Sequence, residues 1–232
     1  MSAMKIIEAP SPNFNDRREA VDMLVLHYTG MESGPAALRQ MQSAEKQVSA
    51  HYMVEENGEV YRLVPEDMRA WHAGVSRWAG QEDLNSRSVG VEIVNGGHDF
   101  GLPNFAPGQI EVVIELSQSI LKRWDIPQVR VVGHSDIAPD RKQDPGEKFP
   151  WRDFARAGVG LWPEPSLKTQ PLSEASAKKA LVGIGYDESK SWPDILIAFQ
   201  RRWSPQHLTG AFDLPTLVRI SEIQSAYLGS AS

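Results

Sequence analysis

Apolar residues in this chain are parcelled into runs of strand length, each with a polar residue inside it or at its end, and helical patterns lie between and after them. Residues 22–27 (DMLVLH) read as a buried strand that ends on a histidine. Residues 88–94 (SVGVEIV) alternate small and branched side chains around one carboxylate, and Val129, Val131 and Val132 lead into Gly133-His134 as a last short strand. Residues 50–64 fold back at Asn57-Gly58, a hairpin signal. Helices are predicted at 35–46, which opens on a proline, and at 109–124, where apolar positions recur at helical spacing. Strands interleaved with helices define an α/β class.

A break in composition follows. Residues 158–172 hold three prolines within nine positions and read as a linker, placed at 159–171 between a domain over 1–158 and a second one over 172–232. The second stretch contains three helical patterns, near 173–182, 192–202 and 214–227, with Asp213 as an N-cap. The proline-rich break predicts that the first part can fold alone.

The chain has no cysteine, which rules out disulfides, thiolate metal ligands and a cysteine nucleophile. A net charge of -6 argues against a nucleic-acid partner. No apolar run suits a signal-peptide core or a membrane span, so the chain as written is expected in the cytosol, or in the periplasm or at the outer membrane if an export signal has been removed. Nothing in the sequence indicates an obligate protein partner.

Several polar residues sit where chemistry is plausible. His27 ends the first strand and His134 ends the last, and Asp144 lies ten residues further on in a long loop of Pro, Asp, Lys and Gly. Two imidazoles and one carboxylate would leave a zinc ion with net positive charge and a fourth position for water. The 107-position separation of the histidines gives no local motif, and isolated histidines are commonly structural. Glu92 either faces solvent, with Val89, Val91 and Ile93 packed inward, or acts as a base in a site. Lys142, two residues before Asp144, either faces the same way as Asp144 or is a solvated lysine among charged neighbours.

Four blocks in order, LVLHYTG, SAHYMVEENGEVYRLVPEDMRAWHAG, SVGVEIVN and VVGHSDIAPDRKQDPGEKFPW, closely resemble the type-2 N-acetylmuramoyl-L-alanine amidases, the AmpD/AmiD group related to the peptidoglycan recognition proteins. The resemblance spans roughly residues 18–158. It implies a mixed central sheet flanked by helices, with a zinc ion, Zn2+, held by His27, His134 and Asp144. It also implies that Glu92 activates water, that Lys142 stabilises the tetrahedral intermediate, and that the substrate is peptidoglycan or its anhydro-muropeptides. Trp71 and His72 match a cleft-lining block and are expected at the substrate, with a hydrogen bond behind the metal as the alternative for His72. Asn95 is expected either to touch the stem peptide or to shape a turn. His51 is expected to be structural, Tyr28 and Trp151 to be core or cleft-wall aromatics, and His98 and His207 carry no expected role. The segments IAFQRRW and LTGAFDLPTL resemble a small three-helix peptidoglycan-binding domain, in which Phe199, Trp203, Leu217 and Ile220 would fill the core.

The resemblance admits two rivals. Recognition proteins of this fold bind cell wall without cutting it, but they lose zinc ligands, and all three positions are filled here. A zinc peptidase acting on stem peptides would ordinarily carry an HExxH helix, which this chain lacks.

Overall fold

The apolar runs form the centre of a six-stranded mixed sheet in the computed structural model, which describes residues 4–230. In chain order the strands are β1 (Ile6–Glu8), β2 (Phe14–Asp16), β3 (Met23–Tyr28), β4 (Tyr52–Val54), β5 (Val60–Arg62), β6 (Met68–Ala70), β7 (Ser88–Ile93) and β8 (Val131–Gly133). The large sheet has the order β1-β5-β4-β7-β3-β8, and β2 and β6 form a separate antiparallel pair. Strands β4, β7, β3 and β8 run parallel, and the predicted hairpin is the antiparallel β4–β5 pair. The carboxyl ends of four strands therefore open along one edge, where side chains can converge on a ligand.

The main helices of the first part are α1 (Gly34–Gln42) and α3 (Pro107–Trp124), with short turns α2 (Leu84–Arg87), α4 (His134–Ile137) and α5 (Trp151–Arg156). Both α1 and α3 begin with proline in the first turn, where a missing N–H costs nothing. The predicted helix at 35–46 is interrupted at Ser43 and continues as a single 3-10 turn. Helices α6 (Glu174–Ile184), α7 (Trp192–Trp203) and α8 (Leu214–Ser230) complete the chain. Ser173 and Ser191 cap α6 and α7, and Asp213 Oδ1 accepts the Thr216 N–H at the start of α8. No helix among the described residues is long and apolar enough to cross a membrane.

Strand alternation sends the core in two directions. Leu24, Leu26, Val89, Val91, Ile93 and Val131 pack against Ile110, Val113, Leu116 and Ile120 of α3. On the opposite face, Met23, Val25 and Val132 join Trp78 and Leu84 in one buried cluster with Leu181, Ile184, Leu196, Phe199, Ile220 and Ile223 of α6, α7 and α8. Phe199, Trp203 and Ile220 are buried in this shared cluster rather than in a separate three-helix core, with Leu217 partly buried against it. The C-terminal helices thus seal a face of the sheet, and the proline-rich segment separates two stretches of chain that share this cluster. That segment is itself anchored at its start: Val159 is fully buried and Trp162 stacks on Trp203 at 5.8 Å.

A buried ion pair ties the halves together. Arg202 Nη1 donates to Asp136 Oδ2 at 2.8 Å, Arg202 Nη2 donates to the Val131 carbonyl at 2.9 Å, and Tyr186 donates to Asp136 Oδ1 at 2.7 Å. The guanidinium lies between the Trp151 and Trp203 rings, 4.3 Å from each centroid. Asp136 also accepts the Gly133 N–H at 2.9 Å, so it fixes the turn from which His134 projects.

Candidate metal centre and active site

His27 and Glu92 are register partners on β3 and β7, and Met53 on β4 is the next partner along the row. Registered residues on parallel strands point to the same side, so His27 and Glu92 share a face about 4.8 Å apart along the sheet. That face carries the C-terminal helices at one end and α1 over Met53 at the other. Between them lies a cavity of about 400 Å³ lined by His72, Glu92, His134, Lys142 and Asp144, with Trp71 at its side. His134 is the first residue of α4 rather than the last of β8, and the following loop returns Asp144 to it.

Three ligand-type atoms meet here. His27 Nδ1 lies 3.0 Å from His134 Nδ1 and 2.9 Å from Asp144 Oδ2, and His134 Nδ1 lies 3.0 Å from the same carboxylate oxygen. All three residues are buried. The edge of a tetrahedron with metal–nitrogen bonds of about 2.05 Å is about 3.3 Å, close to this spacing.

The surrounding hydrogen bonds decide where the protons are. His134 Nε2 sits 3.1 Å from the Ala73 carbonyl, which can only accept, so Nε2 carries the proton and Nδ1 offers a lone pair. His27 Nε2 faces His72 Nδ1 at 3.1 Å, again away from the centre. Burial above all pushes the His27 imidazolium down to about 4, against the opposing pull of Asp144, which keeps the ring neutral. Two nitrogen lone pairs and a carboxylate facing one point repel one another unless a cation sits among them. The donor set therefore fits a metal ion.

Glu92 is on the side of β7 opposite Val89, Val91 and Ile93, but it does not face bulk solvent. Part of the side chain opens on the cavity, and Oε2 is enclosed with no hydrogen-bond partner among the described residues. Burial and then the Asp144 charge push its carboxyl well above the usual range, with Lys142 opposing. A carboxyl that holds a proton unusually tightly at a cavity wall suits proton transfer.

Of the residues expected at the substrate, Trp71 and His72 reach the cavity and Asn95 does not. Asn95 is buried, with its side-chain nitrogen donating to the Pro103 carbonyl at 3.0 Å and its oxygen accepting the Gly97 N–H at 2.9 Å, so both ends of its amide shape the loop after β7. Trp71 Nε1 donates to Asn15 at 2.7 Å, which leaves the half-exposed indole face at the rim. His51 is fully buried, accepting the Gly90 N–H at 2.9 Å on Nδ1, in the structural role expected. Sequence reading passed over His98: it lines the cavity, bonded to the Tyr28 hydroxyl at 2.8 Å and to Glu147 at 3.0 Å. Arg141 was also passed over, and it pins the Trp71–Val75 loop by donating to the Ala73 carbonyl at 2.6 Å and to the Val75 carbonyl. Both sit in loops without periodicity, where only tertiary contacts reveal them.

An α/β sheet with a buried two-histidine, one-carboxylate cluster that could hold a metal ion, at the carboxyl edge of its parallel strands and beside an enclosed glutamate, has the architecture of a hydrolase. Residues 17–147 match the N-acetylmuramoyl-L-alanine amidase family. The chain is 35% identical to the N-acetylmuramoyl-L-alanine amidase AmiD of Escherichia coli, over 91% of its own length and 87% of that protein. It therefore belongs to the N-acetylmuramoyl-L-alanine amidase family. Similarity to the 1,6-anhydro-N-acetylmuramyl-L-alanine amidase AmpD of Enterobacter cloacae is 40% but covers 46% of this chain and 55% of that one. The fold matches a solved complex of E. coli AmiD with its substrate anhydro-N-acetylmuramic acid-L-Ala-D-gamma-Glu-L-Lys, with a TM-score of 0.80, 32% identity, and coverage of 94% of this chain and 99% of that one.

Proposed function

We propose that this chain is a zinc-dependent N-acetylmuramoyl-L-alanine amidase, which hydrolyses the amide between the lactyl group of muramic acid and L-alanine in peptidoglycan fragments. The observation that carries the reading is the convergence of two lone-pair nitrogens and a carboxylate, from His27, His134 and Asp144, beside a cavity that His134 and Asp144 line. Two imidazoles and one carboxylate with a free fourth position are a donor set of catalytic zinc sites. Such an ion, once held, supplies Lewis acidity toward a carbonyl oxygen and lowers the pKa of water.

The chain's own residues supply the rest. Glu92, enclosed beside the site, takes the proton of the attacking water and returns it to the alanine nitrogen, which departs as an amine. Lys142, on the cavity wall, places an ammonium where negative charge develops on the carbonyl oxygen. The Trp71 indole offers an apolar face to the sugar or the peptide stem. Membership of the amidase family and the fold shared with AmiD in its substrate complex support the choice of bond.

Mass analysis of the products tests the reading. An anhydro-muropeptide should yield an intact peptide beginning with L-alanine, and the cut should cease with chelator and return with added zinc. A shortened peptide would make the chain a peptidase, and tight binding without any product would make it a recognition protein.

A further inference from the structure

We propose that His72 is a positioning residue that fixes the tautomer of His27, rather than a contact for substrate. The inference rests on the metal-site reading above, and it comes from a directed chain of hydrogen bonds. The Ser88 hydroxyl donates to the Leu84 carbonyl at 2.5 Å, and that carbonyl can only accept. With its single proton spent, Ser88 Oγ accepts from His72 Nε2 at 3.3 Å. The His72 proton is therefore on Nε2, and His72 Nδ1 accepts from His27 Nε2 at 3.1 Å. That forces the His27 proton onto Nε2 and leaves Nδ1 as a lone pair 2.9 Å from Asp144 and 3.0 Å from His134 Nδ1. Each bond in the relay has one permitted direction, set by a backbone carbonyl three links away.

The fold holds this ring with some care. The backbone N–H groups of His72 and Ala73 both donate to Asn85 Oδ1, at 3.0 and 2.7 Å. The ring lies against Gly90 on β7, where a Cβ atom would come within 2.5 Å of it, so only glycine leaves the space. The ring meets His27 edge-on with centroids 5.1 Å apart. Both ring nitrogens of His72 are spent on protein groups, and the residue is only 8% exposed, so it has no polar atom left for a substrate.

The test uses the full-length protein, with zinc affinity of the metal-free form measured by competition with a chromophoric chelator, and histidine tautomers read by nitrogen-15 NMR. Zinc binding by the wild type checks the metal-site reading by itself, and the variants then check the relay. In the metal-free wild type the His27 ring should be protonated on Nε2. His72→Leu, which keeps bulk and loses the acceptor, should weaken zinc binding by about 10–100-fold, the range for removing a partner of a metal-bound histidine. His72→Asn, whose Oδ1 can stand near the place of Nδ1, should restore most of the affinity. Ser88→Ala, a small change that is the safeguard if His72→Leu does not fold, should leave His27 a mixture of tautomers. Unchanged affinity in His72→Leu with a raised KM would make His72 a substrate contact. A His27 ring protonated on Nδ1 in the wild type, or a single unchanged His27 tautomer in Ser88→Ala, would overturn the relay.

Discussion

Replacing Arg202 with methionine removes the cation that faces Asp136 while keeping much of the side chain's bulk between Trp151 and Trp203. The pair is almost fully enclosed, with side-chain exposures of 2% and 1%. Asp136 would keep the Tyr186 and Gly133 donors but lose its only salt-bridge partner among the described residues. Stranding one member of a buried pair costs about 3–5 kcal/mol, and the Val131 carbonyl loses a donor worth about 1 kcal/mol. The sum, roughly 4–6 kcal/mol, is a large share of a typical stability of about 5–15 kcal/mol. At about 2–4 °C per kcal/mol for a chain of this size, Tm should fall by roughly 10–20 °C. Urea unfolding of chelator-treated wild type and variant, followed by tryptophan fluorescence, measures the loss without the stabilisation that bound metal adds. Adding Asp136→Asn should recover roughly half of it, because the stranded charge goes with the pair. A loss below about 1 kcal/mol, the scale of an exposed ion pair, would mean that water reaches Asp136 and that the contact between the C-terminal helices and α4 is looser than described.

Glu92→Gln should keep its metal and lose about 10²–10⁴-fold in turnover, and Lys142→Ala about 10²–10³-fold, by steady-state assay alongside metal analysis; near-wild-type turnover in Glu92→Gln would remove the protein base from the mechanism. His51 should remain neutral well below the ordinary histidine range, because burial first and the Arg17 charge second lower it from 6.5 to about 3. The sign follows from linkage: the unfolded chain takes up this proton before the folded one does. His51 thus contributes stability above pH 6.5 that drains away toward pH 3, by up to roughly 1.4 kcal/mol per unit. An NMR titration showing His51 charged at about pH 6 would contradict this. A fragment ending at residue 165 should expose Met23, Val25, Val132, Trp78 and Leu84, and should therefore aggregate or bind a hydrophobic dye; a monomeric fragment with the near-UV dichroism of the first part intact would show that the sheet face can close without α6, α7 and α8.

The long elements were legible because their periodicity was strong. The strands around His27 and Glu92 were read to within a residue or two, and α3 and the three C-terminal helices nearly as well. Strands β1, β2 and β6 went unread, since each is three residues long and none has the Asn-Gly turn signal that revealed β4 and β5. At the site, alternation placed Glu92 opposite Val89, Val91 and Ile93 but left open whether that side was wet or enclosed. The answer depended on the walls that α1, the 139–144 loop and the C-terminal helices build around it. The residues of the candidate metal site were singled out only through family likeness, since the two histidines stand 107 positions apart. The Asp136–Arg202 pair, 66 residues apart, had no sequence signal at all. Proline content pointed to irregular chain over 159–171, but composition cannot report that the helices beyond it fold back on the same sheet.

Leu167 stands fully exposed in the middle of that linker, between segments that are each tied down. A protease would find its easiest cut there. The two pieces would not part, because the surface joining them resembles the interior of a domain more than a meeting of separate ones. The peptide bonds near residue 167 therefore serve mainly to keep the local concentration of the helices high while the chain folds. Two polypeptides divided at that point, made together, should assemble into one working particle, and the termini so created would offer a place to insert or permute sequence without touching the metal site.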